Sequence, residues 1–220
     1  PFALRRASLG VLRIIVEHNI DIDLKVALDL ALAQLDASAL VESADHINKQ
    51  VLTYMLDRFK GRYEDEHIPS EVFQSVAARQ LSNPLDIHLR VLAVHAFNQL
   101  PEAEALAAAN KRVSNILSKQ TDLPDGREVN QDLLAEPAEQ ALAKTLTALT
   151  GSVRPLLEAR DYTSALKELA KLRDSVDQFF DEVMVMAEQS EVRMNRLALL
   201  QKLQALFLNI ADISLLVPAK

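Results

Sequence analysis

The sequence predicts an all-α protein. Leu and Ala, both strong helix formers, dominate a chain of 220 residues that holds only 4 Gly and 8 Pro. Apolar residues recur three to four apart, as at Leu9, Leu12 and Val16 and again at Val51, Met55 and Phe59. No alternating Val/Ile/Thr run bounded by hairpin turns occurs, so no substantial sheet is expected.

Taken in order, helices are expected near 3–18, 22–35, 43–65, 69–81, 84–99, 101–119, 137–150, 153–160, 162–172, 175–187 and 190–209. Pro69, Pro84, Pro101 and Pro137 each precede a helical pattern; proline in a first turn loses no hydrogen bond and brings a preset φ. Asn83 before Pro84 is a candidate N-cap. Gly151 followed by Ser152 reads as one helix ending and the next beginning. Two stretches read as connections: a polar linker over 36–44, and a turn-rich loop over 120–135 containing Pro124, Asp125 and Gly126. No fixed-period repeat is found, and the length allows one or two domains.

Composition excludes several chemistries. The chain has no cysteine, so it holds no disulfide, thiolate metal site or cysteine nucleophile, and a reducing compartment suits it. Gly10, Gly61, Gly126 and Gly151 lie far apart, which excludes a glycine-rich phosphate cradle or dinucleotide fingerprint. No Gly-x-Ser-x-Gly elbow occurs. His88 and His95 are spaced to share a helix face but lack an evident third ligand, and Asp45-His46 stands alone. Glu64, Asp65 and Glu66 read as a solvated charged face. No catalytic residue and no metal ligand is therefore expected. The apolar runs, such as Val183 to Ala187, are too short to cross a bilayer. No charged-then-apolar leader opens the chain, and it begins at Pro1 without an initiator methionine, so a fragment of a longer protein is expected.

Net charge is -7, so any polyanion must be met by a local basic patch. Ala105 to Gln120 supplies one: it carries Lys111, Arg112 and Lys119 and no acid. At 100° per residue, Leu106, Ala109, Val113, Ile116 and Leu117 form one stripe, with Arg112, Asn115 and Lys119 about 110° away and Lys111 beside them. The cations suit phosphates, and the amide of Asn110 or Asn115 can read a base edge. The same pattern also describes an ordinary amphipathic helix with a basic outer face. A second cluster is Arg193, Asn195 and Arg196, beside core-facing Val192, Leu199, Leu203 and Phe207. Arg58, Lys60 and Arg62 form a third, offset by neighbouring acids. Tyr63, Tyr162, Phe179 and Phe180 are either stacking platforms for unpaired bases or core residues.

Five stretches carry a resemblance: Pro1 to Arg6, Ala109 to Leu117, Phe179 to Glu188, Arg193 to Leu197, and Ala211 to Leu216. In this order they resemble the C-terminal part of the β subunit of bacterial glycyl-tRNA synthetase, over nearly the whole chain. The resemblance implies a non-catalytic part of a glycine–tRNA ligase. The whole enzyme would be cytoplasmic, with two α and two β subunits, using ATP and magnesium on α. Residues 1–62 would end an HD-like helical domain and its connection. Residues 63–220 would form a bundle similar to the anticodon-binding domain of arginyl-tRNA synthetase. The partners implied are glycine tRNA and the α subunit, with no membrane and no DNA, and no cofactor in this fragment. The His-Asp motif that names the HD-like domain is absent. Assignment of tRNA contacts to Asn110, Lys111, Arg112, Asn115, Lys119, Arg193, Asn195 and Arg196 rests on charge and geometry. The competing reading is a helical scaffold that binds protein and no nucleic acid.

Overall fold

A computed structural model describes residues 2–36, 40–120 and 128–217. Among these there are ten α-helices and no strands, as the composition requires. Parts of the expected linker and loop, 37–39 and 121–127, lie outside the described residues. Packing divides the chain into two compact units, 1–92 and 93–220, which meet within α5 (Pro84–Phe97). Residue 62, where the sequence places a boundary, lies within α3 (Ala44–Asp65).

The first unit contains α1 (Phe2–Glu17), α2 (Leu24–Leu32), α3, α4 (Ser70–Ala77) and the start of α5. Helices α1, α2 and α4 each pack on α3. Tyr63 ties α3 to its neighbours: its buried ring stacks on Phe59 at 5.7 Å and meets Phe73 at the same distance. It also lies 5.9 Å from the His88 ring, and its hydroxyl is 3.0 Å from His88 Nδ1. Asn48, wholly buried, donates to the Lys25 carbonyl and to Asp29 and so ties α3 to α2. Helix starts follow side-chain capping: Asp23 accepts from the N–H groups of Lys25 and Val26, and Ser43 from that of His46. Asn83 accepts from Asp86 N–H and caps α5 as its place before Pro84 predicts.

The second unit contains α6 (Ala103–Leu117), α7 (Pro137–Glu158), α8 (Tyr162–Leu169), α9 (Arg173–Glu182), α10 (Ser190–Leu208) and a closing 3₁₀ turn at Ile213–Leu216. Helix α10 is its centre. Asn195 to Leu200 are buried without interruption, so neighbours cover this helix on every side. Helices α6, α7 and α8 pack on it, and the closing turn packs on α6.

Two sequence expectations fail here for identifiable reasons. No helix ends at Gly151, because Leu142, Leu146, Leu149 and Val153 form one buried stripe that runs past it. Pro155, in the last turn of α7, removes only the bond to the Gly151 carbonyl. The expected helix 175–187 ends at Glu182, and the chain continues through extended Val183 into an irregular strap with bends at 185–186 and 188–189. In that strap Val183 and Val185 are buried while Met184 and Met186 face solvent, a period of two that no helix supports.

Candidate nucleic-acid interface

Helix α6 separates its faces as the periodicity predicts up to Val113; beyond it Ile116 and Leu117, expected on the buried stripe, are half-buried, and Ile116 lines the basic side. Leu106, Ala109 and Val113 are buried. Lys111, Arg112, Asn115 and Lys119 are exposed. Among the described residues neither lysine is paired with a carboxylate. Arg112 is held by an aromatic ring instead: its guanidinium carbon lies 4.3 Å from the centroid of Phe180 on α9. Phe180 is half-buried and rests edge-on against the fully buried Phe179 at 5.5 Å. Ala108, Ile116 and Met186 join the four polar residues around an open groove of about 500 Å³. Gln120 also lines it, so the groove is rimmed by three cations and two amides, with apolar walls and no acid.

Asn110 is not on this face. It is 2% exposed and donates from its amide to the Leu106 carbonyl one turn back, so its polar group serves its own helix.

The second cluster belongs to the architecture rather than to the surface. Asn195 is buried and makes paired bonds to one residue: Asn130 N–H donates to its Oδ1 at 2.7 Å, and its Nδ2 donates to the Asn130 carbonyl at 2.9 Å. Arg196 is buried, ion-paired with Glu139 of α7, and donates to the Met184 carbonyl at 2.7 Å. Arg193 donates to the Ala187 carbonyl at 2.9 Å. The two arginines therefore fasten the strap that carries Met186 to the groove. Their place is behind the candidate surface, where Asn195 and Arg196 are buried.

The third cluster is neutralised locally: Lys60 pairs with Glu64 and Arg62 with Glu66, while Arg58 lies over Tyr54. Of the four aromatics, Tyr63, Tyr162 and Phe179 are core residues and only Phe180 has ring surface near the basic face. Met186 and Glu139 escaped the sequence reading. The Val-Met-Val-Met alternation could have revealed the strap, but nothing local to Arg196 points to Glu139. Among the described residues no group of three or more histidines and carboxylates is placed to hold a metal.

Residues 106–215, which span α6 to α10, match the family model of the DALR anticodon binding domain, and the chain belongs to that family. Residues 1–78 match the family model of the glycyl-tRNA synthetase beta subunit. Over 98% of its length the chain is 51% identical to the glycine–tRNA ligase beta subunit of Marinobacter nauticus. It is 52% identical over 98% to that of Pseudomonas aeruginosa and 53% identical over 97% to that of Chromohalobacter salexigens. It covers 31%, 31% and 30% of these proteins, and so spans about a third of the length of the curated relatives it matches.

Proposed function

We propose that the chain is the anticodon-contacting part of a glycine–tRNA ligase β subunit and that the exposed face of α6 meets the tRNA. The single observation that carries this reading is the exposed cluster of Lys111, Arg112, Asn115 and Lys119 around a groove with no acid in its lining, within an anticodon-binding family and on a chain of net charge -7. Lys111, Arg112 and Lys119 hold loop phosphates by charge. Asn115 offers both an amide donor and a carbonyl acceptor. Glycine anticodons end in two cytosines, whose edge combines an amino donor with ring acceptors, so one amide satisfies both kinds of atom. Anticodon bases are unpaired in their loop, which leaves these edges open to a side chain.

The module adds affinity and discrimination and takes no part in acyl transfer. Glycine joins its tRNA on the partner α subunit, in a cytoplasmic enzyme of two α and two β subunits. ATP and magnesium act there. The test is titration of the Lys111→Glu/Arg112→Glu double variant against glycine tRNA over a range of salt concentrations. The expected result is weaker binding with a shallower salt dependence. Unchanged affinity and slope would remove α6 from the interface.

Protein contact is favoured at a different place. In the first unit, Leu4 and Ile14 of α1 and Val26 and Leu30 of α2 are each more than half exposed. These faces suit the α subunit or another part of the β subunit. A filter-binding assay of the chain with total tRNA separates the two readings, since a protein-only scaffold retains no RNA.

A further inference from the structure

We propose that the groove beside α6 is a slot for one unpaired nucleobase, lined by Met186 and by Arg112, whose guanidinium rests on Phe180. The proposal rests on the tRNA-binding reading above and names how that site would take a base.

The walls are of the right kind. A guanidinium braced by an aromatic ring keeps its charge and offers a flat surface on which a base stacks. The Met186 thioether is polarisable, half-exposed, and suited to contact with a π face. The walls are also fixed in place. Phe180 leans on the core ring of Phe179. Met186 lies between two anchored carbonyls, since Arg196 holds that of Met184 and Arg193 that of Ala187. This accounts for two buried or half-buried arginines behind a surface they do not join.

The rim matches a nucleotide rather than a purely apolar guest. A rise of about 1.5 Å per residue puts Lys111 and Asn115 roughly 6 Å apart along α6, and Lys119 follows in the turn just past its end. Cations thus bracket an amide: flanking phosphates meet the ends while the base edge meets Asn115. The absence of any acid from the lining disfavours a cationic guest. A volume of about 500 Å³ lies within the range of sites that hold one small ligand.

The experiment uses the 220-residue chain and an anticodon stem–loop RNA with 2-aminopurine placed at each loop position in turn. Emission at one position should be quenched on binding, through stacking. Met186→Ala and Phe180→Leu should each relieve that quenching and weaken binding by about five- to a hundredfold. Met186 is half in solvent, so its truncation leaves the melting temperature unchanged and separates loss of the slot from loss of the fold. Lys111→Gln should weaken binding while the same position remains quenched. If the stem–loop binds with a Lys111- and Lys119-dependent salt slope but no position responds to Met186→Ala or Phe180→Leu, the slot is wrong and the interface stands. If the stem–loop does not bind, or binds independently of those lysines, both are wrong.

Discussion

Arg196 of α10 is ion-paired with Glu139 of α7, whose side chain has 0% exposure. Glu139 also accepts from the N–H of Glu136 at 2.9 Å, so one carboxylate closes the start of α7 and anchors α10. Removing one partner leaves the other charge buried without compensation. Arg196→Met or Glu139→Leu alone should therefore cost about 3–5 kcal/mol in urea unfolding. The double variant should recover much of that, because an apolar pair leaves no charge stranded. A double variant as unstable as either single one would show that the pair's contribution lies in packing.

The glycines and the left-handed residues are on opposite sides of the usual rule. Gly151 sits inside α7, and a Cβ there would meet nothing within 4 Å. Gln80, with φ of 53°, takes the position after α4 where glycine has no steric penalty. Gly151→Ala should raise stability by about 0.5–1 kcal/mol, through lower entropy of the unfolded chain. Gln80→Gly should stabilise by a similar roughly 0.5–1 kcal/mol, by relieving the left-handed backbone. Thermal unfolding checks both; a loss on Gly151→Ala would mean that α7 needs a glycine there.

His88 gives the first unit a pH dependence. Burial lowers the pKa of this imidazole from its ordinary 6.5; the charge of Arg62 lowers it further and that of Glu66 opposes the shift. Below 6.5 the unfolded chain takes up a proton that the folded site resists. The stability is therefore complete above 6.5 and is lost as pH falls from there through the folded value. Asp23 acts in a lower window. Burial opposes its ionisation, but hydrogen bonds from Ser82 and the N–H groups of Val26 and Lys25 outweigh this and hold its pKa below 3.8. Urea midpoints measured between pH 7.5 and 5 should fall for the native chain and flatten for His88→Gln. An equal fall in both would assign the effect to another group.

Much of this architecture was legible because it is local. The α6 stripe follows from a 3.6-residue period, and the α5 cap from the Asn83-Pro84 pair. Helix ends were less so, because Asn19, His67, Gln80 and Arg160 hold the left-handed positions in a chain with 4 glycines, and none of them announces a stop. The two cationic clusters looked alike for a different reason. Each sets basic residues close to an asparagine in a helical segment, yet Arg196 finds its carboxylate 57 residues away while Lys111 finds none among the described residues. That distinction is a tertiary fact, and no spacing rule within either helix expresses it.

The same distinction separates the clusters in solution. A lysine that neutralises a phosphate releases condensed counterions, and each such contact on a single strand steepens the dependence of log affinity on log salt by about 0.7. Lys111→Gln and Lys119→Gln should each make the dependence on glycine tRNA binding shallower by roughly that amount. Neither should alter the melting temperature, since both side chains are exposed. Arg193→Gln should do the reverse. Its guanidinium is bound to the Ala187 carbonyl, so its loss loosens the strap and lowers affinity with the salt slope intact. If Arg193→Gln instead changes the slope as the lysines do, its charge reaches the RNA and α10 belongs to the interface after all.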